Sequence, residues 1–296
     1  MTPAPIALFV YNRPEHTRKA VASLQQNVLA AESELFIYSD GPKHASHAAA
    51  VEQVRQFLGT ITGFKKVTVI KSDRNLGLAA SIIRGVTDMV NRHGRVIVLE
   101  DDLVLSPHFL QFMNDGLEKY EHQQEVISIH GYNVAIRYNE PVFFLRGADC
   151  WGWATWARGW KLFNADGEYL MRELKKRKLL YYFDMDGNYP YTEMLEQQIR
   201  GKVNSWAVRW LASAYIHNKL TLYPTQSLVR NIGGDGSGTH QGEEDTYDVH
   251  LNMKRVIIPD IPIEESKQVR RLVGKHLYKF LSPKGKLRKL LRRFIH

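Results

Sequence analysis

Short apolar runs recur along the first 130 residues and alternate with stretches whose apolar positions repeat every three or four residues. IALFVY (6–11), ELFIYSDG (34–41), KVTVI (66–70), RVIVL (95–99) and EVISIHGY (125–132) read as strands. Between them, PEHTRKAVASLQQ (14–26) opens with Pro and an acid, as helix N-termini prefer, and residues 47–58 place Val51, Val54, Phe57 and Leu58 at helical spacing. LGLAASIIRGVTDMV (76–90) and PHFLQFMNDGLEKY (107–120) complete the helices. Strand and helix in alternation predict an α/β fold, a mostly parallel Rossmann-like sheet flanked by helices. The pattern changes near residue 132. FFLRGADCWGWATWARGWKLF (143–163) carries Trp151, Trp153, Trp156 and Trp160, and helical stretches follow at 168–183, 189–201 and 205–219. A short strand at 220–224 and the glycine-rich NIGGDGSGTH (231–240) come next, and a basic tail begins at about residue 263.

Each of the first four strands ends in polar residues: Asn12 and Arg13, Asp40, Asp73 to Asn75, and the triplet Glu100, Asp101 and Asp102. In open α/β sheets ligands bind beyond those strand ends, so the four clusters are expected around one cleft. Taken singly, each also fits ordinary turn chemistry. The triplet is different. It directly follows a buried strand, and carboxylates so close together resist burial unless a positive charge joins them, for which a divalent cation is the first candidate.

Composition places the chain among soluble globular proteins: 296 residues, 44% hydrophobic and 24% charged, with no apolar stretch near the roughly 20 residues that span a bilayer. No leader-like segment opens the N-terminus, which reads as a cytoplasmic start, and the single cysteine, Cys150, excludes an intrachain disulfide or a Cys-rich metal centre. The net charge of +9 is concentrated in the tail, where eleven Lys and Arg follow the last acid, Glu265. Apolar residues in that tail repeat at i, i+3, i+4 on either side of Ser282–Pro283. Two basic amphipathic helices are expected there, with residues 267–296 lying on an anionic membrane surface. No nucleic-acid-binding fold accompanies the tail, so nucleic acid is not an expected partner.

Several motifs in their order, PIALFVYNRP, YSDG, SDRNLGLAASIIRG, VLEDDLVLSP, WGWATW, SWAVRW and LYPTQSLVRNIGGDGSGTH, resemble the nucleotide-sugar glycosyltransferases of the GT-A fold. The likeness is to the bacterial family 2 type and, more distantly, to inverting N-acetylglucosaminyltransferases with a Glu-Asp-Asp metal motif. It covers roughly residues 5–242. It implies a nucleotide-sugar-binding half over 1–132, an acceptor-binding half over 133–262 and a tail over 263–296. It implies a metal-dependent transfer from a nucleoside-diphosphate sugar, a uridine one foremost, to a glycan or lipid-linked glycan in surface polysaccharide assembly. Mn²⁺ or Mg²⁺ would be held by Asp102 and by His240 of the glycine-rich loop, and Glu100 and Asp101 would contact sugar or ribose hydroxyls or hold their loop. Asp40 would meet the nucleobase, with Tyr11, Asn12 and Arg13 as the other wall, and Arg74, Asn75 and Arg84 would lie near ribose and diphosphate. Trp153 and Trp156 would face the acceptor, unless the tryptophans are simply core. The resemblance puts the general base of an inverting transferase just before SWAVRWLASAYIH, but Asn204 and Ser205 stand there. Neither can take a proton near neutral pH, which leaves Glu196, Glu193 and Asp149 as candidates. A nucleotidyltransferase or a non-catalytic binding protein are the rival readings; the first usually carries a glycine-rich loop after its first strand, and YNRPEHT has none.

Overall fold

The computed structural model describes residues 2–235 and 249–281. The chain runs β1 (Ile6–Val10), α1 (Pro14–Gln25), β2 (Glu34–Ser39), α2 (Ala48–Leu58), β3 (Lys66–Lys71), α3 (Leu78–His93) and β4 (Arg95–Glu100). It continues through β5 (Leu103–Leu105), α4 (Phe109–Lys119), β6 (Val126–His130), β7 (Val142–Arg146), β8 (Trp153–Trp156) and α5 (Ala157–Trp160). α6 (Gly167–Lys176), α7 (Leu180–Phe183), α8 (Tyr191–Ile199), α9 (Trp206–Ile216), β9 (Leu220–Pro224), β10 (Val229–Asn231) and α10 (Lys267–Leu281) complete it.

Eight strands form one sheet in the order β3-β2-β1-β4-β8-β6-β9-β7. β1 to β4 are mutually parallel, β8 enters antiparallel between β4 and β6, and β7 closes the edge antiparallel to β9. The period-2 alternation of strands divides the core between two faces. Ile6, Leu8, Leu35, Ile37, Ile97 and Leu99 point to the side of α1, α2 and α4. Ala7, Phe9, Phe36, Tyr38, Val96 and Val98 point to α3 and α9. A third cluster joins α6, α7, α8 and α9.

The parallel first half agrees with the expectation from its pattern. β8 settles an open choice: WATW is short, and its tryptophans read equally as core or as an exposed acceptor wall. Both faces of this strand are covered, so Trp153 is 0% and Trp156 4% exposed. Trp153 stacks at 5.5 Å on Trp206 and lies near Trp160 and Trp210, while Trp156 packs on the opposite face and donates to the Leu117 carbonyl. Neither can touch an acceptor. The stretch at 168–183 is two helices, interrupted where Lys178 takes a positive φ of 57°.

The tail departs further from its amphipathic reading. No helix among the described residues is long and apolar enough to cross a membrane. In α10 the apolar residues Val269, Val273 and Leu277 are buried on the body, not turned outward to lipid. Arg270 fixes the helix from the inside, 4% exposed by side chain, bonded to Asp186 and to the Tyr215 hydroxyl, and lying 3.5 Å over the Tyr182 ring. The second tail helix, from residue 284 on, lies outside the described residues.

Trp153→Ala removes the centre of the indole cluster. It is expected to cost about 3–5 kcal/mol, read as a lowered midpoint in chemical denaturation with the slope unchanged.

Candidate functional site

β4 ends on Glu100, and the chain turns through Asp101 and Asp102 before β5. β5 pairs antiparallel with β10, with Asn231 opposite Leu103, so whatever follows β10 is laid beside Asp102. Ile232 N–H donates to the Asp102 carbonyl at 2.8 Å, and the Gly233 N–H donates to Asn231 Oδ1 at 2.8 Å. A Cβ at Gly233 would stand 2.5 Å from Asp102 Oδ2, so only glycine lets the loop come this close. On the far side His16 Nε2 lies 3.2 Å from Asp235 Oδ2.

Arg13, at the end of β1, supplies the positive charge the triplet requires. Its guanidinium binds Asp101 Oδ1 and Asp102 Oδ2, the latter at 3.0 Å. Burial opposes the Arg13 charge, but the two carboxylates outweigh it and raise its pKa. Asp101 is buried and satisfied within the chain, since the Tyr11 N–H also donates to it at 3.3 Å. Burial raises its pKa, with Arg13 working against the rise. Glu100 is half-buried, and its side chain takes part in no hydrogen bond or ion pair among the described residues. Burial, Asp102 and Asp101 push its carboxyl well above the usual range, offset in part by Arg13.

The nucleobase side is organised differently from the expectation. Asp40 is buried, and its two oxygens accept from the backbone N–H groups of Gly41, Leu76 and Gly77 and from Asn75 Nδ2, at 2.8–3.1 Å. Its lone pairs are thus committed to holding the 74–77 turn. Gly41 lets that turn pack close, because a Cβ there would meet the Arg74 backbone at 2.6 Å. Arg74 is exposed at the rim, and Asn12 is half-buried in the turn beside Arg13. The Tyr11 hydroxyl accepts from Lys43 N–H and meets His47 Nδ1 at 2.7 Å. Arg84 is exposed on α3, where its charge bears on Tyr38; nothing among the described residues joins it to the triplet. His240 lies outside the described residues.

Asp149, Cys150, Trp151 and Ser205 line a cavity of about 380 Å³. Burial and Asp149 push the Cys150 thiol well up, with Glu100 and Asp102 adding to the effect. Glu193 and Glu196 do not reach that cavity. They engage Gln197 and Arg200 one turn on along α8, and neither lines the cavity. Asn204 is exposed and accepts from Arg209, while Ser205 caps α9 by accepting from the Val208 N–H.

Sequence reasoning passed over three supporting residues. Arg55 reaches from α2 to the Ser72 carbonyl at 2.7 Å and the Asp40 carbonyl at 3.3 Å, tying together the ends of β2 and β3. His16 could have been placed by its position one turn after Arg13. His130, buried in β6, accepts the Trp151 N–H at Nε2 (3.0 Å), so its proton is on Nδ1 and is donated to the Tyr132 carbonyl at 2.9 Å. It thereby fixes the 149–151 segment that carries Asp149.

The residues suit a hard cation. No three His, Cys, Asp or Glu side chains among the described residues converge as a complete metal cage. Mg²⁺ and Mn²⁺ in phosphate sites, however, are held through one or two carboxylates, with phosphate and water oxygens completing the shell. Asp102, with Glu100 left unpaired beside it, meets that requirement.

A profile of the family described as glycosyl transferase family 2 matches residues 6–174. Among solved structures, the mannosyltransferase PcManGT from Pyrobaculum calidifontis, in complex with GDP-Man and Mn²⁺, aligns at 12% identity and a TM-score of 0.34. That alignment covers 46% of this chain and 36% of the other. S. aureus TarS 1–349, in complex with UDP-GlcNAc, aligns at 10% identity and a TM-score of 0.33, over 46% and 37%. The chain thus spans little more than a third of either solved chain. No curated protein sequence matches it.

Burial lowers the His130 pKa, and a proton added at Nε2 would face the Trp151 N–H. Its stabilising contribution is complete above the ordinary histidine value of about 6.5 and is lost as pH falls through it. His130→Gln should lower stability at about pH 7.5 by about 1–3 kcal/mol, the cost of a disrupted buried hydrogen-bond pair. The gap to the unsubstituted protein should narrow toward about pH 5. Denaturant midpoints at the two pH values check both.

Proposed function

The chain belongs to glycosyl transferase family 2 and is a glycosyltransferase; from that premise we propose that it moves a sugar from a nucleoside-diphosphate donor, a uridine one first, onto a hydroxyl of a glycan or lipid-linked glycan. The observation that carries the reading is the convergence of Arg13, Glu100–Asp102 and the 231–235 loop at one edge of the sheet.

In this reading Asp102 holds the divalent cation, with Glu100 as a second oxygen donor or a hydrogen-bond partner for a sugar hydroxyl. The cation would neutralise the leaving diphosphate as a Lewis acid. Asp40 and Arg55 shape the 74–77 turn, whose backbone with Asn75 and the exposed Arg74 forms one donor wall; Tyr11 and His47 form the other. Arg13 shares its charge between two acids and lies close enough to contribute to the diphosphate site once Asp102 is engaged. Asp149 is the remaining base candidate. Its carboxylate would take the proton of the acceptor hydroxyl as that oxygen bonds to C1 and the bond from C1 to the diphosphate oxygen breaks, inverting the anomeric centre. On the outer side of α10, Lys267, Arg271, Lys275 and Lys279 are exposed at four-residue spacing. That row supports electrostatic contact with an anionic membrane surface, the setting of surface polysaccharide assembly.

Calorimetric titration of UDP and GDP with Mn²⁺ and with EDTA tests the donor site. Binding of one of them that requires metal and is lost in Asp102→Asn is the expected result, and silence of both under every condition would overturn the assignment. Asp149→Asn should keep that binding while turnover falls about 10²–10⁴-fold, read as release of free nucleoside diphosphate in the presence of acceptor. Near-normal turnover in Asp149→Asn removes it as the base.

A further inference from the structure

The cavity beside Asp149 has a chemistry that a sugar ring alone does not account for. Carbohydrate hydroxyls are normally read by side-chain donors and acceptors, and a large part of this lining is apolar. Its walls are Met194, Tyr191 and Leu211 from α8, α9 and the turn before them, Tyr223 from β9, and Val273 and Leu277 from α10. Several of its polar members are engaged within the chain, although Arg146 keeps a buried Nε without a hydrogen-bond partner. Asn133 Nδ2 donates to the Thr225 carbonyl at 2.9 Å, and the Ser205 hydroxyl caps α9. Arg146, the one cation in the lining, donates to the Tyr215 carbonyl and lies over the rings of Tyr182 and Tyr215. The Tyr223 hydroxyl is pushed well up by burial, with Asp149 and Tyr215 adding to it.

About 380 Å³ lies within the range of pockets that enclose a small ligand, and an apolar void of that size favours apolar atoms over water. Asp149 and Cys150 line the same cavity. The far wall is not a mobile flap. Arg270 anchors α10 to Asp186, Glu265 and the Tyr215 hydroxyl, with its neighbour Val269 fully buried, so Val273 and Leu277 are held at fixed depth.

Building on the proposed transfer, we infer that the acceptor carries an apolar aglycone next to the reacting hydroxyl, and that this cavity receives it, with α10 setting how large it can be. The glycan end would face Asp149 and the donor, and the aglycone would bury itself among Met194, Leu211, Val273 and Leu277. The C-terminal helix is then a specificity element. Bulk added at Leu277 shortens the cavity from one wall and bulk at Met194 from another.

Octyl β-D-glucoside below its micelle-forming concentration and methyl β-D-glucoside are the probes, titrated calorimetrically into the full chain. The octyl compound should bind at least tenfold more tightly than the methyl one. Leu277→Trp and Met194→Trp should each weaken the octyl compound at least tenfold, with thermal unfolding showing that the variants are folded. Equal binding of the two glucosides overturns the inference, as does octyl binding that both tryptophan variants leave intact. Metal-dependent diphosphate binding in the same preparations separates this result from the donor reading. If diphosphate binds and the glucosides do not differ, only the aglycone pocket falls; if the octyl preference holds without diphosphate binding, the donor assignment falls.

Discussion

Three carboxylates on successive residues at the end of a buried strand cannot stand alone, and the placing of charge around them organises the rest of this site. Two consecutive strands of the parallel half meet the requirement together. β1 delivers Arg13 to the same edge at which its neighbour β4 delivers Asp101 and Asp102, so one guanidinium spans two acids. An ion pair this sheltered gives up much hydration for each contact it makes, and it is retained where it also holds geometry in place. Here it holds the turn on which Asp102 is presented. Glu100 is left outside the pairing, its proton affinity raised by burial and by Asp102 and Asp101.

The same constraint explains why the second half of the chain returns to this point. β10 pairs with β5, directly after the triplet, and brings Asn231, Gly233 and Asp235 over Asp102 and His16. A ligand bound against the acids would therefore lie between parts of the chain some 130 positions apart in sequence. Asp40 plays a comparable part on the other side. Its carboxylate accepts from Gly41, Asn75, Leu76 and Gly77 and so holds the 74–77 turn against the end of β2.

What could be read from the sequence was whatever depended on local period and strand ends. β1 to β4, the helices between them and the clustering of polar residues at one edge follow from alternation of two and of 3.6, and these set the donor side. Tryptophan at β8 left core and acceptor wall both open because four residues carry too short a pattern to show that both faces are covered; burial there comes from α4, α5 and α9, elements distant in sequence. Asp149 could be named among the base candidates, yet choosing it over Glu193 and Glu196 required the tertiary position of α8, whose exposed side carries both glutamates. Arg55 and His130 act at long range through backbone carbonyls and an amide, contacts that leave no periodic trace.

α10 shows how the same amphipathic spacing can serve two surfaces. Val269, Val273 and Leu277 satisfy the pattern of a helix that lies in lipid, but Arg270 stands beside them and is buried, which a lipid-facing side would not allow without a partner. Asp186, Glu265 and the Tyr182 ring provide that partner inside the protein. The apolar side is thereby committed to the body, and the row of Lys267, Arg271, Lys275 and Lys279 lies outward with Gln268 and Tyr278. Contact of this helix with a membrane would therefore be electrostatic, weakened by salt, and compatible with an unchanged cavity behind it. One helix would then hold the enzyme near an anionic surface with its outer side while its inner side measures the acceptor.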